Sequence, residues 1–233
     1  MLREYLQYFI SFTIGLAIVA SLIGLARYRQ LPASLRYITL LACFDTSMEL
    51  TVKFLHDVVK LKSNLFMFPF ISIGELALLG LAYRQALQSA AFNRVLPWLL
   101  GLFTAYALAV SFSQFGMVRY AVGVATIVNL LMLGLAGFYF RKLLNDLQVE
   151  HLLHDPFFLV SIGLTVYGLG NLLIYLSSNY LLAHCSEQLQ MIIFWGVRNL
   201  FNVVLYLSYC VALWISPTQE RVVPAAASTS PRI

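Results

Sequence analysis

Of 233 residues, 61% are hydrophobic and 11% charged, less than half the charge of roughly 25% that a soluble domain carries, so lipid rather than water is the expected solvent. Six or seven stretches of about 20 apolar residues use most of this length, which leaves short connections and no room for an appended soluble domain. The net charge of +5 comes mainly from Lys and Arg between apolar runs, next to which no basic stripe with interleaved aromatics occurs, so nucleic-acid binding is excluded.

The run after Met1-Leu-Arg-Glu-Tyr5 has no small-residue cleavage site before Arg27 and Arg29, and it is expected to stay as a helix rather than leave as a signal peptide. Helical spans are expected near residues 7–27, 34–55, 66–87, 96–114, 118–140, 156–182 and 190–215. Backbone in hydrocarbon must satisfy its own hydrogen bonds, so apolar runs of this length are helices rather than strands. The expected fold is an all-α integral membrane bundle of seven transmembrane helices, one domain over residues 1–215. The second span is the least apolar, because it holds Asp45, Glu49 and Lys53. Small residues at helical spacing, Ala20/Gly24, Gly101/Ala105 and Gly134/Gly137, are expected to let helices approach closely. After Trp214 the composition turns to Ser216-Pro217 and then Pro, Ala, Ser and Thr, which predicts a disordered tail over 216–233. No internal repeat is found, so an inverted-repeat transporter is not supported.

Seven spans put Arg27, Arg29, Arg36, Arg84, Arg94, Arg141, Lys142, Arg221 and Arg232 on one side, and Arg3, Lys53, Lys60, Lys62 and Arg119 on the other. The excess marks the cytoplasmic face, which places the N-terminus outside and the C-terminus in the cytoplasm. Tyr5, Tyr8, Trp98, Tyr180 and Trp214 lie near span ends, where interfacial aromatic belts form. Cys43, Cys185 and Cys210 are too scattered for a disulfide framework or a thiolate metal site.

Ionisable groups within a span cost at least about 2.5–3.5 kcal/mol on insertion scales and therefore face the bundle interior. The candidates are Asp45 and Glu49, one turn apart on the second span, Glu75 on the third and Arg198 on the seventh. Span seven adds Asn199 and Asn202: Arg198, Asn202 and Tyr209 form one stripe, with Trp195, Asn199 and Tyr206 beside it. Span six contributes Tyr167, Asn171, Tyr175 and Ser178, and span five Asn129. One reading is a polar cavity formed by Asp45, Glu49, Glu75, Asn171, Arg198, Asn199 and Asn202. The other is a structural ion pair with amide and hydroxyl groups bonding helix to helix.

The missing residues narrow the choice. Span seven has no lysine, which excludes a retinal Schiff base at the usual final-helix position. His151 and His154, flanked by Glu150 and Asp155, could begin a metal site, but their polar loop favours an ordinary solvated cluster. No His-x-x-x-His lies within a span, against the seven-helix zinc-dependent lipid hydrolases, and there is neither a Gly-x-Ser-x-Gly elbow nor a phosphate loop. No catalytic residue, metal or cofactor is assigned.

Met48-Glu49-Leu50, Asn64-Leu65-Phe66 followed by Glu75, Asp155-Pro156-Phe157-Phe158, and Trp195 with Asn199-Leu-Phe-Asn202 together resemble a group of uncharacterised bacterial seven-helix membrane proteins. That resemblance implies the bacterial inner membrane and a role beside signalling systems that include histidine kinases. The function expected first is a non-enzymatic sensor with a polar intramembrane pocket for a small molecule or lipid, passing its state to a separate signalling protein. A transporter or proton/cation pathway, and a lipid-modifying enzyme using Asp45 and Glu49 as acid and base, are the alternatives.

Overall fold

The computed structural model describes residues 2–60, 67–113, 122–146 and 155–216, and all of its regular structure is helical. The His151/His154 pair, the Asn64-Leu65-Phe66 motif and the expected tail from residue 217 onward lie outside these residues. In chain order the long helices are α1 (Leu2–Arg27), α2 (Ala33–Asp57), α3 (Phe68–Leu87), α4 (Ala90–Ser113), α5 (Val122–Asp146), α6 (Pro156–His184) and α7 (Glu187–Ile215). All except α2 are long and apolar enough to cross a membrane, which makes this a multi-pass membrane protein. Charge, not length, sets α2 apart: its 25 residues reach about 37 Å at roughly 1.5 Å per residue.

Around the bundle, α1, α2, α3, α5, α6 and α7 pack in that cyclic order, with α7 closing against α1 and α4 lying outside against α3. Leu35, Ile38 and Leu41 of α2, Leu76 and Leu79 of α3, Val160 and Leu164 of α6, and Leu213 of α7 are buried together in the centre. The α1/α2 pair is antiparallel along its length. A Cβ at Gly24 would come within 2.5 Å of the Thr39 methyl, Ser21 and Thr46 share a 2.9 Å hydrogen bond, and Lys53 Nζ donates to Ser11 Oγ at 3.4 Å. Because Ser21 gives its proton to the Ala17 carbonyl, Thr46 is the donor in their pair.

Two sets of contacts hold one end of the bundle. Arg27, at the end of α1, donates to the carbonyls of Leu213 and Ser216, each at 2.7 Å, and to that of Trp214. It thereby satisfies the open carbonyls at the end of α7 and runs α1 parallel to it. Asp155 caps α6 by accepting from Phe157 N at 2.9 Å, with Pro156 in the first turn, while Tyr139 of α5 donates to its other oxygen. Phe157 stacks edge-on against Tyr83 and Tyr139, with ring centroids 4.9 and 5.0 Å apart. The Asp-Pro-Phe-Phe sequence is thus a helix start joined to an aromatic knot.

Of the small-residue pairs, only Ala20/Gly24 makes the expected close approach. Gly101, Gly134 and Gly137 face outward, where an added Cβ would meet nothing within 4 Å. Close helix contact falls instead at Gly163, which Ser208 of α7 covers, and at Gly170, against the Phe201 ring.

Candidate functional site

Periodicity predicts polar faces on α2, α6 and α7 and a single carboxyl, Glu75, on α3, and the packing order brings these helices round one interior space. α7 is not a uniform helix. It starts as an α-helix at Glu187–Met191, widens into a π-helix over Ile192–Val197, and resumes as an α-helix over Arg198–Ile215. The Arg198 N–H reaches back five residues to the Ile193 carbonyl, so Arg198 emerges where the wide turns close. Segments of π-helix are rare and concentrate at functional sites. The stripes also fall otherwise than expected: Trp195 is 59% exposed on the outer surface, whereas Asn202, Tyr206 and Tyr209, at i, i+4 and i+7 of the α-helical part, share one inner wall.

Asp45 of α2 and Glu75 of α3 meet at an interior cavity together with Tyr167 of α6 and Asn202, Tyr206 and Tyr209 of α7. Leu41, Leu79, Met132, Leu164 and Leu205 form its apolar sides. About 20 Å³ of it is open to the centre of a water molecule. Since roughly 10–15 Å³ holds one water, the space suits a water-sized occupant and not an organic molecule. Asp45 is 7% exposed, and its Oδ1 has no hydrogen-bond partner among the described residues.

The charges around the cavity form one network. Asp45 lies within electrostatic reach of both Glu75 and Glu49, and Arg198 acts on Glu49 and on Glu75. Tyr167 feels Glu75, Arg198 and Asp45. Three carboxyls and one guanidinium are therefore electrostatically coupled across α2, α3 and α7, with Asp45 and Glu75 on the cavity wall and Glu49 and Arg198 off it.

The asparagines divide. Asn202 lines the cavity and donates to Asn199 Oδ1 at 3.4 Å, while Asn199 Nδ2 has no partner among the described residues. Asn171 is fully buried but is not on the cavity wall; it donates to its own helix at the Tyr167 carbonyl, at 3.0 Å. Asn129 likewise turns back to Ala125, at 2.8 Å. In lipid such back-bonding satisfies the amide N–H without a second helix.

The π-helical stretch is what the sequence reading missed; Tyr167, Tyr206 and Tyr209 stood on its polar stripes but not among its site residues. Gly196 within Ile-Ile-Phe-Trp-Gly-Val is the sole local irregularity in that run, and a single glycine does not specify wide turns. A second space, with Ser34, Gln85, Gln88, Tyr139, Lys142 and Asp155 on its walls, lies where α2, α3, α5 and α6 end. There Lys142 already donates to the Ala86 carbonyl at 2.8 Å, and both Asp155 oxygens hold partners.

Comparison of the chain with protein-family models, curated proteins and solved structures finds no match in any of the three. Function is therefore argued from the geometry of the site.

Proposed function

We propose that this chain is a non-enzymatic membrane sensor of seven spans, in which the buried acid–arginine cluster is the responsive element and a separate signalling protein, of the histidine-kinase class, receives the change. The observation that carries this reading is the position of Arg198. Its charge acts on carboxylates of two other helices, and it sits where the π-helical turns of α7 end. A change in the charge or occupancy of the cluster is thereby linked to the π-helical segment, a rare feature that concentrates at functional sites.

The charged α2 is read as the seventh span, because it follows the apolar α1 from the Gly24–Thr39 contact to the Ser11–Lys53 contact. The Lys and Arg count supports the N-terminus outside and the C-terminus in the cytoplasm, and the resemblance of the motifs supports a bacterial inner membrane.

The test is amide hydrogen exchange in lipid nanodiscs on Glu75→Gln and Arg198→Gln. Both variants are expected to fold and to alter exchange at the far end of α7, around the Arg27 contacts with Leu213 and Ser216. Exchange changes confined to one turn on either side of each substitution would reduce the cluster to structural glue and remove the sensor reading.

A further inference from the structure

We infer that the interior cavity is a binding site for a single dehydrated monovalent cation, with Na⁺ the best fit. This inference rests on the reading of the buried cluster as a functional site, and it names an occupant for that cluster.

Size comes first. A space of about 20 Å³ for a water centre admits one water or one small ion and excludes an organic ligand. Its polar wall is next: the Asp45 and Glu75 carboxyls, the hydroxyls of Tyr167, Tyr206 and Tyr209, and the Asn202 amide. Apart from the amide nitrogen these are oxygens, the donors that hard cations take. No thiolate or imidazole is among the lining residues and the one sulfur is the Met132 thioether, outnumbered by oxygen donors, which disfavours a transition metal.

The unpartnered oxygen of Asp45 is the third and independent observation. A carboxyl 7% exposed, with one oxygen facing no donor among the described residues, bears a large desolvation cost when ionised unless a cation at the cavity takes the place of the proton that would otherwise neutralise it. Arg198 is one such charge, but it acts on Glu49 and Glu75 and not on Asp45. A divalent ion fits less well. Mg²⁺ keeps several of its waters, for which there is no room, and Ca²⁺ takes six to eight oxygens, usually with more carboxylates than the two on this wall.

The experiment uses the full chain in detergent micelles, with NaCl, LiCl, KCl and choline chloride at equal ionic strength. Na⁺ is expected to raise the thermal midpoint by about 3–5 °C over choline once it exceeds its Kd roughly tenfold. ²³Na NMR on the same sample is expected to show line broadening that Li⁺ relieves. Asp45→Asn and, separately, Tyr206→Phe are expected to weaken both signals at least tenfold in concentration. If Asp45→Asn does not fold, Tyr206→Phe and the wild-type salt series decide the matter. Equal midpoints in all four salts, with no Li⁺-sensitive broadening, would leave the cavity to water and overturn the inference.

Failure of the ion site and failure of the sensor reading are separable. Bound Na⁺ that leaves exchange at the Arg27 end unchanged keeps the ion site and removes the sensor. A far-end response to Arg198→Gln in a protein indifferent to Na⁺ does the reverse.

Discussion

At the scale of single residues, the bundle spends its polar groups in two ways, and Asp155 illustrates the structural one. One of its oxygens caps α6 through Phe157 N, and the other accepts from Tyr139, so a single side chain sets the start of α6 and its distance from α5. Asp155→Ala removes a cap worth about 1 kcal/mol and orphans a buried hydroxyl at about 1–3 kcal/mol, a combined loss of roughly 2–4 kcal/mol. Asp155→Asn keeps one acceptor oxygen for Phe157 N and puts an amide N–H where the other oxygen was, from which the Tyr139 hydroxyl can accept instead of donating, and should lose less than half of that. Thermal unfolding in detergent checks the pair, and equal losses would mean that charge, not the cap, matters. Asp45 illustrates the other use, an oxygen without an internal donor. The candidate charges were legible in the sequence because Asp45, Glu49, Glu75 and Arg198 stand out in apolar runs. Tyr167, Tyr206 and Tyr209 were less distinctive, since tyrosine is equally at home at a membrane interface and in a core.

At the scale of helices, existence was legible and side-chain direction only partly so. The apolar runs located every long helix, but α4 begins at Ala90, ahead of the expected residue 96, and carries Pro97 inside it rather than near its start. Likewise α5 runs on to Asp146, past the expected residue 140, because Arg141 and Lys142 lie at the interface and Lys142 satisfies an open carbonyl at the end of α3. Glycine spacing misled, because it marks where a helix has no side chain and not whether another helix comes near. That difference is measurable. Gly163→Ala places a Cβ on the Ser208 side chain, and separating α6 from α7 should cost about 1–3 kcal/mol. Gly101→Ala points into open surroundings and should be neutral or stabilising by up to about 1 kcal/mol through helix propensity. Ser208→Gly in the Gly163→Ala background should recover part of the loss, because the two sites touch and their effects do not add. Unfolding in mixed detergent reads all four proteins, and equal effects of the two alanines would refute the close contact.

At the scale of the whole molecule, which helix meets which was beyond the sequence. Seven similar apolar cylinders have many cyclic orders, and lipid on the outside supplies no pattern that places α4 outside the ring. The parity of crossings follows from one contact. Arg27 at the end of α1 binds the end of α7, so these helices run parallel, and the start of α1 lies on the same side as the turn between α6 and α7. An odd number of crossings satisfies that arrangement, which supports the proposal that the charged α2 crosses with the other six. If α2 lay along the surface, six crossings would put the two points on opposite sides. Tyr5, 68% exposed on α1, and Cys185, in the turn before α7, are the positions to label. In a background of Cys43→Ala and Cys210→Ala, a membrane-impermeant maleimide added to intact cells should modify Cys185, and equally the thiol of Tyr5→Cys in a version with Cys185→Ala. Modification of both only after the membrane is opened would reverse the orientation drawn from the Lys and Arg count but preserve seven crossings. Modification of one from each side would break the parity and, with it, the place of Asp45 and Glu49 inside the membrane.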